Sequence, residues 1–143
     1  MNNKFDAVIF DWAGTTVDYG CFAPVQAFVE VFKHFGIEPT MEELRKRGIA
    51  IGSTTGYTDK MMAIVVPKAK ENGYVPDAWF SPDAVGHAGR PFPYMIFQNM
   101  QALHIQSVSS VMKVGDTISD IKEGKNAGAD AVIRNKGELV GLL

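Results

Sequence analysis

Short apolar runs alternate along this chain with longer stretches in which apolar residues recur at three- and four-residue steps. Residues 7–10, AVIF, are branched and aromatic with no polar alternation, which predicts a strand buried on both faces. Across residues 23–36, APVQAFVEVFKHFG, Val25, Phe28, Val29 and Phe32 keep helical spacing and Gly36 can close the helix. MEELRKRG, residues 41–48, reads as a second, short helix, and IAIGSTTG, residues 49–56, as a strand running into a glycine-bounded hydroxyl cluster. YTDKMMAIVVPKAKENG, residues 57–73, begins as a helix with Pro67 as an interior breaker. DAWF, residues 77–80, predicts a strand; SPDAVGHAGRPFP, residues 81–93, a loop; YMIFQNMQALHI, residues 94–105, a helix with an apolar face. VMKVGDT, residues 111–117, repeats the opening design of a strand that ends at an acid. ISDIKEGKNAGA, residues 118–129, is a helix finished by Gly128, and DAVIRN, residues 130–135, a last strand.

Strands alternating with helices imply right-handed crossovers and an α/β fold: three layers around a mainly parallel, Rossmann-like sheet. Ligands in such sheets sit beyond the carboxyl ends of the strands. The polar residues at those ends are Asp11, Thr54 with Thr55, and Asp116, with a further acid at Asp120. Acids and threonines after strands are also common turn and cap residues, and one such end alone would be read that way. Several together point to a site.

Composition narrows what the site can serve. The 143 residues suit a single domain, residues 1–143, large enough to bury a core without disulfides. A formal charge of −2 and the absence of any basic run argue against nucleic acid or an anionic membrane as partner. One cysteine, Cys21, excludes an internal disulfide framework, and the opening MNNKFDA carries no long apolar stretch, so a reducing cytoplasm is expected. His34, His87 and His104 lie at no metal-ligand spacing, and the seven methionines, Met61 and Met62 among them, suit core filling. Trp12 is expected to pack against the sheet.

Carboxylates converging at one sheet edge repel each other unless a hard cation lies between them, and Mg²⁺ takes oxygen ligands while keeping room for phosphate oxygens. A carboxylate can also attack phosphorus to give an aspartyl phosphate. Its charge repels a phosphoryl group, so metal, hydroxyls and a cation are needed beside it. Thr55 and the amides around Gly56 can donate neutral hydrogen bonds, and Arg90 can offer a planar charged fork. As a lone residue, Arg90 would be read as a loop salt bridge.

FDWAGTTVD, GSTTGYT, AGRP and KVGDTISD together resemble the haloacid dehalogenase superfamily of phosphohydrolases and, more narrowly, its phosphonoacetaldehyde hydrolase (phosphonatase) family. The likeness runs over residues 5–46 and 47–133. It implies Asp11 as nucleophile and Mg²⁺ ligand, the Ala13 carbonyl and Asp116 as further ligands, Thr55 and Arg90 on the phosphoryl group, and Asp120 supporting the metal. Gly14, Thr54, Gly56 and Lys113 would line the phosphate or stand behind these groups. Phosphatases of the superfamily carry a second aspartate where this chain has Ala13. That acid protonates a departing alkoxide, which cleavage of a P–C bond does not produce.

The family also implies a helical cap that bears a Schiff-base lysine. Here MEELRK runs straight into RGIAIG, so the cap insertion near residues 46–47 is missing and its lysine with it. Lys46 stands at the junction without taking that role, and Lys113 is read as a sheet lysine. The expected function is Mg²⁺-dependent hydrolysis of phosphonoacetaldehyde, a small-molecule phosphonate, to acetaldehyde and phosphate, with a homodimer as the candidate assembly. The alternatives are a weak phosphatase and a non-catalytic core that binds Mg²⁺ and phosphate.

Overall fold

The computed structural model describes residues 4–12, 41–71, 73–115 and 117–133. The apolar run at the start of the chain becomes the central strand. β1 (Ala7–Asp11) lies between β2 (Ala50–Thr54) and β4 (Val111–Val114), with β3 (Ala78–Phe80) and β5 (Ala131–Ile133) outside them, in the order β3-β2-β1-β4-β5. All four pairings are parallel. A strand flanked on both edges and covered on both faces has no place for polar alternation, which is why AVIF is continuous. Among the described residues the helices are α1 (Met41–Lys46), α2 (Asp59–Glu71), α3 (Tyr94–Ala102) and α4 (Ile118–Ala127).

Side-chain alternation divides the strands between two layers. Val8, Phe10, Ile51, Met112 and Val114 join Met62, Val65 and Ala69 of α2 in one apolar cluster. Ala7, Ile9 and Val111 join Ile96 of α3 and Ala127 of α4 in the other. Each fully buried branched or aromatic side chain here contributes roughly 1.5–3 kcal/mol relative to exposure. The same alternation sends Asp11, Thr54 and Lys113 to the α3–α4 face. β2 and α3 approach closely there: a Cβ at Gly52 would stand 2.6 Å from Asn99 Oδ1. Asn99 uses that closeness, accepting from the Ser53 amide at 3.2 Å and donating to the Ser53 carbonyl at 2.9 Å.

Two sequence expectations need correction. Pro67 does not break its helix; α2 runs through it to Glu71. The buried stripe is Met62, Val65 and Ala69, so Pro67 faces water, and the Ala63 carbonyl that loses its amide partner is on the exposed side as well. Residues 81–93 are not wholly irregular, because Ser81 caps a 3₁₀ turn over Pro82–Val85 that Gly86 ends with φ 61°. The helix expected over residues 23–36 lies outside the described residues.

Candidate active site

The site forms where β1, β2 and β4 end. Register places Asp11 opposite Thr54, and the Trp12 amide donates to the Thr54 carbonyl at 3.0 Å, so the two tips are tied one residue beyond the strands. Thr55 follows, buried, its amide donating to Phe80 O at 3.3 Å and its hydroxyl accepting from the Tyr57 amide at 3.0 Å. That bond leaves the hydroxyl hydrogen available to an acceptor in the site. Gly56 sits against Arg90, whose Nη2 would be 3.4 Å from a Cβ built there.

Arg90 reaches in from the loop between the 3₁₀ turn and α3. Its Nη1 lies 2.8 Å from Asp11 Oδ1 and also contacts Asp120 Oδ1. Asp120 divides its two oxygens. Oδ2 belongs to the N-terminus of α4, accepting from the Thr117 amide at 3.1 Å and the Thr117 hydroxyl at 2.7 Å, in a reciprocal capping box. Oδ1 faces the cations. Gly115 is required by this packing, since a Cβ there would fall 2.4 Å from Asp120 Cβ and Cγ.

Behind Asp120 lies a second ion pair. Lys113, in the middle of β4, is fully buried and its Nζ is 2.9 Å from Glu123 Oε2, 3.7 Å from Asp120 Oδ1 and within hydrogen-bond distance of Thr54 Oγ1 at 2.7 Å. The Thr54 hydroxyl donates to Glu123 Oε2 at 3.0 Å. Read inward from the helix, the charges alternate: Glu123, Lys113, Asp120, Arg90, Asp11. Burial opposes the ionised form of Asp120, but Lys113, Arg90 and the Thr117 hydrogen bonds outweigh it and hold its carboxyl below the ordinary range. Burial likewise works against the Arg90 guanidinium, and Asp11, Asp120 and Glu123 more than offset it, so Arg90 is a fixed cation and no proton donor.

Of the residues expected from sequence, the structure gathers Asp11, Thr54, Arg90, Lys113 and Asp120 by direct contacts, with Thr55 and Gly56 on the adjoining β2 tip. Ala13, Gly14, Cys21, His34 and Asp116 lie outside the described residues. Glu123 and Gly115 were not anticipated. A cue existed for Glu123: a lysine inside the apolar strand VMKV demands a buried acid somewhere. His87 is exposed, 3.2 Å from Asp83, away from the metal-ligand role.

Among the described residues no three carboxylate, histidine or cysteine side chains gather closely enough to hold a metal. The donor chemistry nevertheless suits a hard cation: two buried carboxylates, Asp11 and Asp120, already converge on one positive nitrogen and offer only oxygen. No described helix is long and apolar enough to cross a membrane.

Residues 28–128 match the family of haloacid dehalogenase-like hydrolases. The chain is 38% identical over 195 residues to phosphonoacetaldehyde hydrolase of Bacillus cytotoxicus, covering 87% of this chain and 74% of that protein. It is 39% identical over 208 residues to a bifunctional phosphonoacetaldehyde hydrolase/aminoethylphosphonate transaminase of Clostridioides difficile, covering 95% of this chain but only 32% of the relative. Both alignments are longer than the chain itself, so each relative carries residues with no counterpart here. Among solved structures, a phosphonoacetaldehyde hydrolase-like protein from Oleispira antarctica superposes with a TM-score of 0.69 at 28% identity, over 90% of this chain and 72% of that one. A haloacid dehalogenase family hydrolase from Deinococcus radiodurans, solved with phosphate and sodium, shares the fold at a TM-score of 0.60 and 18% identity, over 91% and 80% of the two chains. With a parallel sheet of the matching fold and an acid at the tip of its central strand, this chain belongs to the haloacid dehalogenase-like hydrolases and, within them, to the phosphonoacetaldehyde hydrolase family.

Proposed function

We propose that this chain hydrolyses phosphonoacetaldehyde to acetaldehyde and phosphate through an aspartyl phosphate on Asp11. Asp11 attacks phosphorus, the P–C bond breaks with its electron pair passing into the neighbouring carbonyl as an enolate, and a proton from water completes acetaldehyde. A second water then splits the aspartyl phosphate, returning the Asp11 carboxylate and releasing phosphate. The observation that carries this reading is the 2.8 Å contact of Arg90 Nη1 with Asp11 Oδ1 in a buried position at the carboxyl edge of the sheet. It sets a permanent, planar cation beside the oxygen that must approach a charged phosphoryl group.

The chain's own groups then divide the work. Arg90 neutralises the phosphoryl oxygens, the Thr55 hydroxyl donates to one of them, and Gly56 leaves the space a phosphoryl group needs beside the guanidinium. Asp11, with the Ala13 carbonyl and Asp116 that the family resemblance adds, would hold Mg²⁺. Bound there, the ion supplies charge neutralisation between carboxylate and phosphoryl group. Ala13 offers no acid, in keeping with a carbon leaving group.

Lys113 does not serve as an imine-forming amine. Its ammonium is fully buried and engaged by Thr54 and Glu123. The closure of this lysine favours a second reading, in which the core binds Mg²⁺ and phosphate and needs an amine from elsewhere to activate the carbon side. Purified protein with Mg²⁺ and phosphonoacetaldehyde, followed for phosphate and acetaldehyde together with Asp11→Ala as control, separates the two. Equal yields lost in the variant support hydrolysis; a folded protein that binds phosphate yet forms neither product supports the second reading.

A further inference from the structure

Two cations address a single oxygen. Arg90 Nη1 contacts Asp120 Oδ1, and Lys113 Nζ points at the same atom from 3.7 Å. The other oxygen, Oδ2, is committed to the cap at Thr117 and cannot take either of them without opening the start of α4. What keeps Lys113 back is Glu123, whose Oε2 stands 2.9 Å from Nζ, together with Thr54, which accepts from Nζ at 2.7 Å and passes its own hydrogen to Glu123 at 3.0 Å.

From this arrangement we infer that Glu123 is a positioning residue for the site: by engaging Lys113 it reserves Asp120 Oδ1 for Arg90, and thereby holds Arg90 between Asp120 and Asp11. The inference rests on the proposed reading of the site as a phosphoryl site. Glu123 engages Lys113 and Thr54 and acts on the site through them. Stability does not account for it. Glu123 and Lys113 are both fully buried, and among the described residues Glu123 Oε1 is buried without a hydrogen-bond partner. A buried ion pair commonly costs as much in desolvation as its attraction returns, and an unsatisfied buried oxygen adds to that cost. An apolar pair would fill the same space.

Without the Glu123 carboxylate, Asp120 Oδ1 is the acid oxygen that Lys113 Nζ is left to pair with among the described residues. Moving onto it displaces the guanidinium, which is then left to Asp11 alone, covering the nucleophile and losing the orientation that presents its fork to a phosphoryl group. Removing the lysine at the same time removes the competitor. The double change is therefore expected to restore part of what the single change destroys, an outcome that a merely structural role for Glu123 does not give.

The test compares wild type, Glu123→Leu, Glu123→Gln and Lys113→Met/Glu123→Leu in thermal melts, the side-chain ¹⁵N resonances of Arg90 without ligand, and the affinity for inorganic phosphate with Mg²⁺. Glu123→Leu is expected to move the Arg90 resonances and weaken phosphate binding by about tenfold or more, and the double variant to bring both back part of the way toward wild type. Glu123→Gln, which keeps the shape, is expected to move both in the same direction by less, and decides the matter if Glu123→Leu fails to fold. Unchanged Arg90 resonances in the single variants, or a double variant no better than Glu123→Leu, would overturn the inference. Should wild type itself bind no phosphate, the phosphoryl reading falls, while the Arg90 resonances still decide the role of Glu123.

Discussion

At the surface, Lys46 and Glu42 face each other across one turn of α1 at 3.4 Å, both side chains mostly in water; inside, Lys113 and Glu123 stand 2.9 Å apart with no exposure at all. The two pairs use the same chemistry. The outer one gains little, because water screens the charges and two long side chains must be ordered to meet. The inner one has given up the hydration of both ions and recovers it only through partners placed at fixed positions on β2, β4 and α4. Packing alone would have favoured apolar residues at Lys113 and Glu123, so their charges are explained by what lies beyond them: Asp120, Arg90 and Asp11. Lys4–Asp130 and Arg45–Asp77, also on the exposed side, lead to no such chain.

The contrast can be broken most severely at its inner end. Asp11→Asn is expected to lower phosphate release from phosphonoacetaldehyde by about a thousandfold or more while leaving the melting temperature nearly unchanged, as read by a phosphate assay beside a thermal scan. Arg90→Lys keeps a positive charge but loses the planar fork, and a fall of roughly a hundredfold in kcat/KM is expected. Gly115→Ala drives a methyl group into Asp120, at a cost of about 2 kcal/mol in urea unfolding and a parallel loss of phosphate affinity.

Acid sharpens the comparison further. The folded Asp120 carboxyl is held below its ordinary value, whereas in the unfolded chain it takes up a proton near pH ~4. Its contribution to stability is therefore complete above that pH and is lost as pH falls through the folded value. Denaturant titrations at a series of acidic pH values are expected to show a shallower acid slope in Asp120→Asn than in wild type. At the outer end, Glu42→Gln is expected to change stability by less than about 0.5 kcal/mol and activity not at all. An effect as large as that of Gly115→Ala would erase the distinction between the two sets of charges.

What could be read from sequence followed from local chemistry. A branched apolar run that stops at an acid announces the central strand and puts Asp11 at its tip, and Gly128 closes α4 in the left-handed conformation, φ 84°, as its place after the helix implied. The sequence offers Asp120 as a candidate site acid, and the structure sets one of its oxygens beside Arg90 while the other serves the capping box with Thr117, the ordinary turn role that competes with any functional reading. Glu123 was not legible, because Lys122, Glu123 and Lys125 on one short helix resemble a solvated face. Only the register that brings Lys113 under that helix shows the acid to be interior. Pro67 misled for the opposite reason: its cost depends on which side of α2 it occupies, and the exposed side tolerates it.

The central claim is that Asp11 takes the phosphoryl group while Arg90 neutralises it. Quenching the protein during turnover of phosphonoacetaldehyde with Mg²⁺, and mapping phosphoryl mass onto its peptides, addresses this most directly. The account requires the added mass on the peptide containing Asp11, absent in Asp11→Asn and reduced in Arg90→Lys. Phosphate release with the added mass on another residue, or undiminished in Asp11→Asn, would contradict it.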